Sequence, residues 1–229
     1  MARQREKHMP FFGVLEALQK AAGCPLCEMD LADTRRYLES VLYESVNDPV
    51  VRAELVKSRG YCRRHAHVIL SFKDGLGTAI LYRDQVKLFL ERLGKMKSLL
   101  SVARRKRLPD DWGHHAACPA CRMQAADRNR HIVTLLEWLD DADMRAAFDA
   151  SLPLCVPHFS LVIKCVSDAS LRRYLIEVEH RKMSKLAADL DEFVRRNDYH
   201  FVGKGFAGTE KSPADAVRLM VGLEGILDE

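Results

Sequence analysis

The sequence predicts an all-α fold, a tandem pseudo-repeat helical domain with two Cys3His metal sites and a C-terminal docking helix. Three observations lead there. A Cys-x-x-Cys followed by a Cys-x-x-His occurs twice: Cys24 and Cys27 with Cys62 and His65, then Cys118 and Cys121 with Cys155 and His158. The two halves of a copy are separated by 34 residues in the first and 33 in the second. Between and after them apolar residues recur at helical spacing, and no run alternates as a strand would.

The elements follow in order. Residues 11–22 read as a short helix with Phe12, Leu15 and Leu18 on one face, ended by Gly23. A longer helix runs from the Cys24–Cys27 knuckle to about Ser45, with Leu31, Leu38, Val41 and Leu42 at helical spacing. Asp48 and Pro49 restart a helix as N-cap and first helical residue, and it ends near Ser58-Arg59-Gly60. Cys62 and His65 stand at i and i+3, which places them on one helical face. After Gly75 and Gly77 comes the longest helix of the first half. Its Tyr82, Val86, Phe89, Leu93, Met96 and Leu100 form a heptad-like stripe, expected to be a packed core seam.

The second copy repeats this order. A helix runs from Cys118 to about Leu139, carrying Ile132, Leu135, Leu136 and Leu139. Asp140–Asp143 takes the place of the first copy's turn. A short helix from Met144 to Ala150 leads through Pro153 to Cys155 and His158. Asp168 or Ser170 caps a long helix bearing Leu171, Leu175, Val178, Leu186, Leu190 and Phe193. Beyond a break at 197–201, Ser212 as N-cap and Pro213 start a last helix, which Leu219, Met220, Leu223 and Ile226 would dock on the body. The organisation expected is a first Cys3His repeat over 1–107 with its N-terminal helix and a linker over 108–117. A second repeat over 118–196 and a Gly-rich loop with the last helix over 197–229 complete it.

Composition agrees with this class. A 48% hydrophobic and 30% charged chain can bury a core without being membrane-like, and a net charge of +4 permits an acidic partner without demanding one. The basic start, Met1 to His8, is followed by no long apolar run, so neither a signal peptide nor a transmembrane span is expected. A cytoplasmic location follows, where thiols stay reduced and a regular Cys pattern points to metal or redox chemistry rather than disulfides.

Three thiols and an imidazole are a standard ligand set for structural zinc, and all four tetrahedral positions are then filled. Helix N-termini beside Cys27, Cys62, Cys121 and Cys155 stabilise bound thiolates. Two zinc ions are the expected cofactors. An iron–sulfur cluster on the same ligands is the alternative, since His can replace Cys there. Each knuckle could meet the Cys-x-x-His of its own copy or of the other. Local pairing closes the shorter loop at lower entropic cost and is the expectation. A thioredoxin-like use of Cys-x-x-Cys lacks its βαβ setting.

Weaker features stand beside these. Gly203–Gly208 matches G-x-G-x-x-G but follows a helix, not a strand, and reads as a loop. Arg104–Arg107, with His114 and His115 nearby, could touch nucleic acid, yet cations ending a helix explain them. His67, His131 and His180 read as packing or surface, and Asp198-Tyr199-His200 as a turn. The seventh cysteine, Cys165, is expected to be buried. No nucleophile–base pair or paired carboxylate site stands out. These residues point to a structural or regulatory metal-binding protein with another protein as partner. Nucleic-acid binding through the basic linker is the weaker alternative.

Several motifs taken together resemble a bacterial family defined only as a domain of unknown function. They are Gly23-Cys-Pro-Leu-Cys27, Tyr37-Leu38 with Tyr43-Glu44, Val46-Asn-Asp-Pro49 with Val51-Arg52, and Gly60-Tyr-Cys62-x-x-His65. Cys118-Pro-Ala-Cys121, Leu154-Cys155-x-x-His158 and the stretch from Glu192-Phe193 to Phe201 also fit it. The resemblance spans roughly residues 12–225. It implies a cytoplasmic bacterial protein with two Cys/His sites and carries no assigned reaction.

Overall fold

The computed structural model describes residues 6–99, 118–197, 205–206 and 208–224, with backbone alone at 96–99. Among the described residues there are helices and turns and no strand. The helices are α1 (Met9–Lys20), α2 (Pro25–Glu44), α3 (Pro49–Ser58), α4 (Arg63–Ser71) and α5 (Gly75–Leu99). They continue as α6 (Pro119–Trp138), α7 (Ala142–Ala150), α8 (Val156–Cys165), α9 (Ala169–Arg196) and α10 (Ser212–Val221).

The helix starts are set by local chemistry. The Asp48 side chain accepts hydrogen bonds from the Val50 and Val51 N–H groups, and Pro49 occupies the first turn of α3. Asp141 does the same for α7 through Asp143 N and Met144 N. Asp168, not Ser170, caps α9 through Leu171 N. At the end of α3 the chain turns in the left-handed region at Arg59 (φ 59°) and Gly60 (φ 91°), and Gly60 N–H donates to Leu55 O at 2.7 Å. Ser212 departs from expectation. Lys211 holds the N-cap position of α10 without a side-chain cap, while the Ser212 hydroxyl donates to Thr209 O at 2.8 Å.

The chain divides into two compact units, and the division falls inside α2 and α6. The first unit comprises residues up to Leu31 together with Arg128–Glu229. Its core gathers Phe11, Val14 and Leu18 of α1, Ile132 and Leu135 of α6, Met144 and Phe148 of α7, Val162 of α8, and Leu175 and Val178 of α9. Phe11 packs edge-on against Trp138, with ring centroids 4.9 Å apart. The buried face of α1 is therefore Phe11, Val14, Leu18, and Phe12, expected inside, is about half exposed at 49%. α10 packs on α8 and α9, with its Leu219 buried in the core and Leu223 beyond it packed there too, whereas Met220 faces outward and Ile226 lies outside the described residues.

Two side chains of α9 hold the segment between α7 and α8. The Lys182 ammonium donates to Phe148 O (2.6 Å) and Ser151 Oγ (2.9 Å). One turn earlier, the buried Glu179 accepts from Leu154 N–H at 3.3 Å. Burial pushes Glu179 up to about 7 and Lys182 down to about 8. This clamp sets the backbone that delivers Cys155.

The second unit, Ala32–Asp127, packs Leu38, Val41 and Leu42 of α2 with Leu55, Tyr61, Ile69 and Leu81. Gly77 lies so close to α2 that an added Cβ would meet Leu42 Cδ2 at 3.0 Å. The expected stripe on α5 is met at Tyr82, which packs against the core, but is offset beyond it. Leu81 and Gln85 are buried, whereas Val86 is 57% and Leu93 40% exposed. The element is a helix as its spacing predicts, but several apolar phases coexist on α5, and packing against α3 selects the one through Leu81. Leu100 and the basic run Arg104–Arg107 lie outside the described residues, as do His114, His115 and Asp198-Tyr199-His200.

Leu81→Ala is expected to cost about 2–5 kcal/mol of stability, and Val86→Ala less than about 0.5 kcal/mol. Chemical denaturation of both variants checks the offset, and equal losses would contradict it.

Candidate metal centres

The eight expected ligands form two sets of four, and within each set the ligand atoms all lie within 4.8 Å of one another. The sets are crossed. Cys24 and Cys27 meet Cys155 and His158 in the first unit, while Cys62 and His65 meet Cys118 and Cys121 in the second. The local pairing expected from loop entropy is thus overturned, and helix length gives the reason. A 20-residue α2 rises about 30 Å, and a 10-residue α3 running straight back would recover only about 15 Å. Two such arms leave a shortfall of about 15 Å. The second copy has the same unequal arms, 20 residues in α6 against 9 in α7. Crossing lengthens the closed loops to 128 residues between Cys27 and Cys155 and 59 between Cys62 and Cys121. Each doubling of a loop costs only about 0.6 kcal/mol, so geometry outweighs entropy.

Each set is built the same way. A knuckle places two thiols at the N-terminal end of α2 or α6. The facing Cys-x-x-His places its Cys at the N-cap of α4 or α8 and its His one turn in. In the first set, Cys27 and Cys155 sulfurs stand 3.5 Å apart, and His158 Nδ1 lies 3.6, 3.3 and 3.3 Å from Cys24, Cys27 and Cys155. In the second, Cys62 and Cys121 sulfurs stand 3.6 Å apart, and His65 Nδ1 lies 3.2, 3.6 and 3.4 Å from Cys62, Cys118 and Cys121. A tetrahedral ion with metal–sulfur bonds of about 2.3 Å and metal–nitrogen bonds of about 2.0 Å needs edges of about 3.5–3.8 Å. Both sets fit one ion each.

The surroundings differ. Turning Nδ1 to the ion leaves the proton on Nε2. In the first set His158 Nε2–H faces the Asp30 carboxylate at 3.3 Å, and Asp30 also accepts from Arg128 Nε at 2.6 Å. A carboxylate behind a ligating His fixes its tautomer and raises its basicity. In the second set Gln124 stands where Asp30 stands in the first, three residues past the knuckle. Gln124 does not reach the His. Its carbonyl accepts from Arg64 Nη2 at 2.7 Å, and the same Nη2 lies 3.4 Å from His65 Nε2. The second His therefore has a guanidinium beside it instead of a carboxylate. Burial differs too, since all four ligands of the first set are buried, while Cys62 and Cys121 of the second are only half-buried.

In the metal-free protein the thiols share protons unevenly. Hydrogen bonds from Cys155 and Cys27 hold Cys24 far below the usual thiol range, and Cys27 is pushed far above it by Cys155, Cys24 and burial. A hydrogen bond from Cys118 brings Cys62 down to about 3 against the opposing effect of burial. Cys118 is pushed up by Cys62 and Cys121 by burial. At His158 burial works against the charged ring, but Asp30, Cys155 and Cys24 outweigh it and lift the ring to about 11. Each set thus retains protons that an incoming ion must displace.

The eight Cys and His residues singled out by the sequence are the ones gathered in the two sets, whereas Asp30, Arg128, Arg64 and Gln124 were not anticipated. The i+3 position after each knuckle, on the ligand's own helical face, was the available signal for Asp30 and Gln124. Cys165 is exposed, not buried as expected, because at the end of α8 Val162 and Val166 supply the core contacts and Cys165 lies off their face. His67 and His180 are exposed. No described strand precedes the Gly203–Gly208 loop, of which Gly203, Lys204 and Ala207 lie outside the described residues.

Fold and sites together define an all-helical protein with two Cys3His-type sets that could hold metal ions. The chain belongs to the family of unknown function DUF6062, whose model matches residues 6–224. It is also similar, at 23% identity over 192 residues, to an uncharacterized 23.9 kDa protein in the xynA 3' region of Caldicellulosiruptor sp. (strain Rt8B.4). That match covers 83% of this chain and 90% of the relative. No solved structure matches the chain. Among the described residues no helix is long and apolar enough to cross a membrane.

Two outcomes are expected. Asp30→Ala weakens metal binding at the first centre by about 10–100-fold, read by competition with a chromogenic chelator. Metal uptake by the metal-free protein releases protons, so affinity falls as pH drops, by about tenfold per pH unit for each proton displaced. Titration of zinc into weakly buffered protein with a pH indicator checks the sign, and zinc uptake without proton release would contradict it.

Proposed function

We propose that this protein binds two zinc ions, one in each Cys3His set. The ions fasten a cytoplasmic helical scaffold whose role is structural or regulatory. The observation that carries this reading is the compactness of each set, four ligand atoms within 4.8 Å. Four protein ligands fill a tetrahedral zinc and leave no position for substrate, which favours a fastening role over a catalytic one. With no open coordination site, the scaffold acts by engaging another macromolecule, and a protein is the partner class we favour. An iron–sulfur cluster distributes its ligands over several bridged irons and so spreads them further apart, which makes the cluster the weaker reading.

The test is elemental analysis with an absorption spectrum on protein purified without oxygen. The reading expects two zinc ions per chain, no visible colour, and on cobalt substitution the intense d–d bands of a tetrahedral thiolate site. Iron with acid-labile sulfide and a brown spectrum would replace it with a redox or sensing role.

A further inference from the structure

The two centres share one construction, so their differences isolate what each is able to do. Cys27 pairs with Cys155 across the first centre as Cys121 pairs with Cys62 across the second. The sulfur separations are nearly equal, 3.5 and 3.6 Å. Access is not equal, because Cys27 and Cys155 are fully buried at 0% exposure while Cys62 and Cys121 are half-buried. The second difference is Arg64. Its Nη2 serves Gln124, but its Nε and Nη1 are buried without a hydrogen-bond partner. The corresponding residue beside the first centre is Pro157, which offers no donor. The third is the His support, a carboxylate behind His158 and a cation behind His65.

We propose that the Cys62–Cys121 edge is a site of reversible oxidation by hydroperoxides, through which the second centre gives up its ion while the first keeps its own. This rests on the metal-binding reading above. One thiolate of the pair attacks a peroxide oxygen, so that an S–O bond forms, the O–O bond breaks, and hydroxide leaves as water after protonation. The unused N–H groups of Arg64 stabilise that departing oxygen. The neighbouring thiolate then attacks the sulfenic sulfur, the S–S bond forms and the S–O bond breaks, releasing a second water. Two thiolates, one peroxide and two protons become one disulfide and two waters. The ion, left with one thiolate and a His weakened by Arg64, is released. A dithiol reductant and fresh metal restore the site.

The experiment uses the full chain carrying Cys165→Ser, which removes the exposed lone thiol. Metal content is measured first, hydrogen peroxide is added, and released ion is followed with a chromogenic chelator. Non-reducing digestion and mass spectrometry then map the cross-links. We expect one ion and two thiols per chain to be lost about tenfold faster than the other ion, with a Cys62–Cys121 cross-link. Arg64→Met should slow this phase several-fold. Release of both ions at one rate, a Cys27–Cys155 cross-link appearing as early, or no cross-link at all would overturn the proposal. A chain lacking zinc before peroxide is added would refute the zinc reading instead, and the order of cross-links still decides this one.

Discussion

Convergence of ligands from opposite copies is the constraint on which the structure depends. Each set joins the first turn of one long helix to a Cys-x-x-His that lies 59 or 128 residues away in the chain. The cause lies in helix length rather than in the ligands themselves. A 20-residue arm followed by a 9- or 10-residue arm cannot return to its start, so a knuckle and the Cys-x-x-His of its own copy do not meet. The second occurrence of the motif supplies the remedy, because what one set of arms cannot reach the other presents. The two hydrophobic clusters follow this division, with Cys24, Cys27 and Cys155 buried in one and Cys118 in the other.

Equivalent ligands do not make equivalent centres. A dication held by three thiolates would carry a net charge of about −1, to which the buried Asp30 of the first unit would add another that Arg128 offsets. In the second unit a neutral carboxamide replaces the carboxylate, and with such an ion Arg64 would bring the local sum near zero. The two positions that make this difference, three residues after each knuckle and one before each His, lie outside the ligand motif. Divergence there changes the character of a site without touching its ligands.

Much of this is legible in the residues. Cys24, Cys27, Cys62, His65 and their counterparts can be read because thiols and imidazoles at fixed spacing, duplicated in register, are the pattern of a metal-ligand set. The caps at Asp48 and Asp168 can be read because capping is local chemistry. What escapes is long-range. Phe12, Val86 and Leu93 belong to apolar phases that a helix permits but its neighbours do not select, and periodicity alone cannot rank two phases on one helix. Loop entropy favours local pairing only while the length of the arms is left out, although both arm lengths follow from the sequence. Asp30 and Arg64 stay hidden because the roles of residues around a ligand become visible only once the His ring has a direction.

Crossed ligands also govern the order in which the protein can be made. Cys24 and Cys27 leave the ribosome long before Cys155 and His158 exist. At about 5–20 residues per second, the intervening 128 residues take roughly 6–25 s. For that interval the first knuckle is a nascent two-thiol half-site, open to any ion or oxidant it meets. The second centre is completed with Cys121, well before the first. The earlier-closing centre is therefore the half-exposed one, and the fully buried centre is sealed last, by a segment from the far half of the chain.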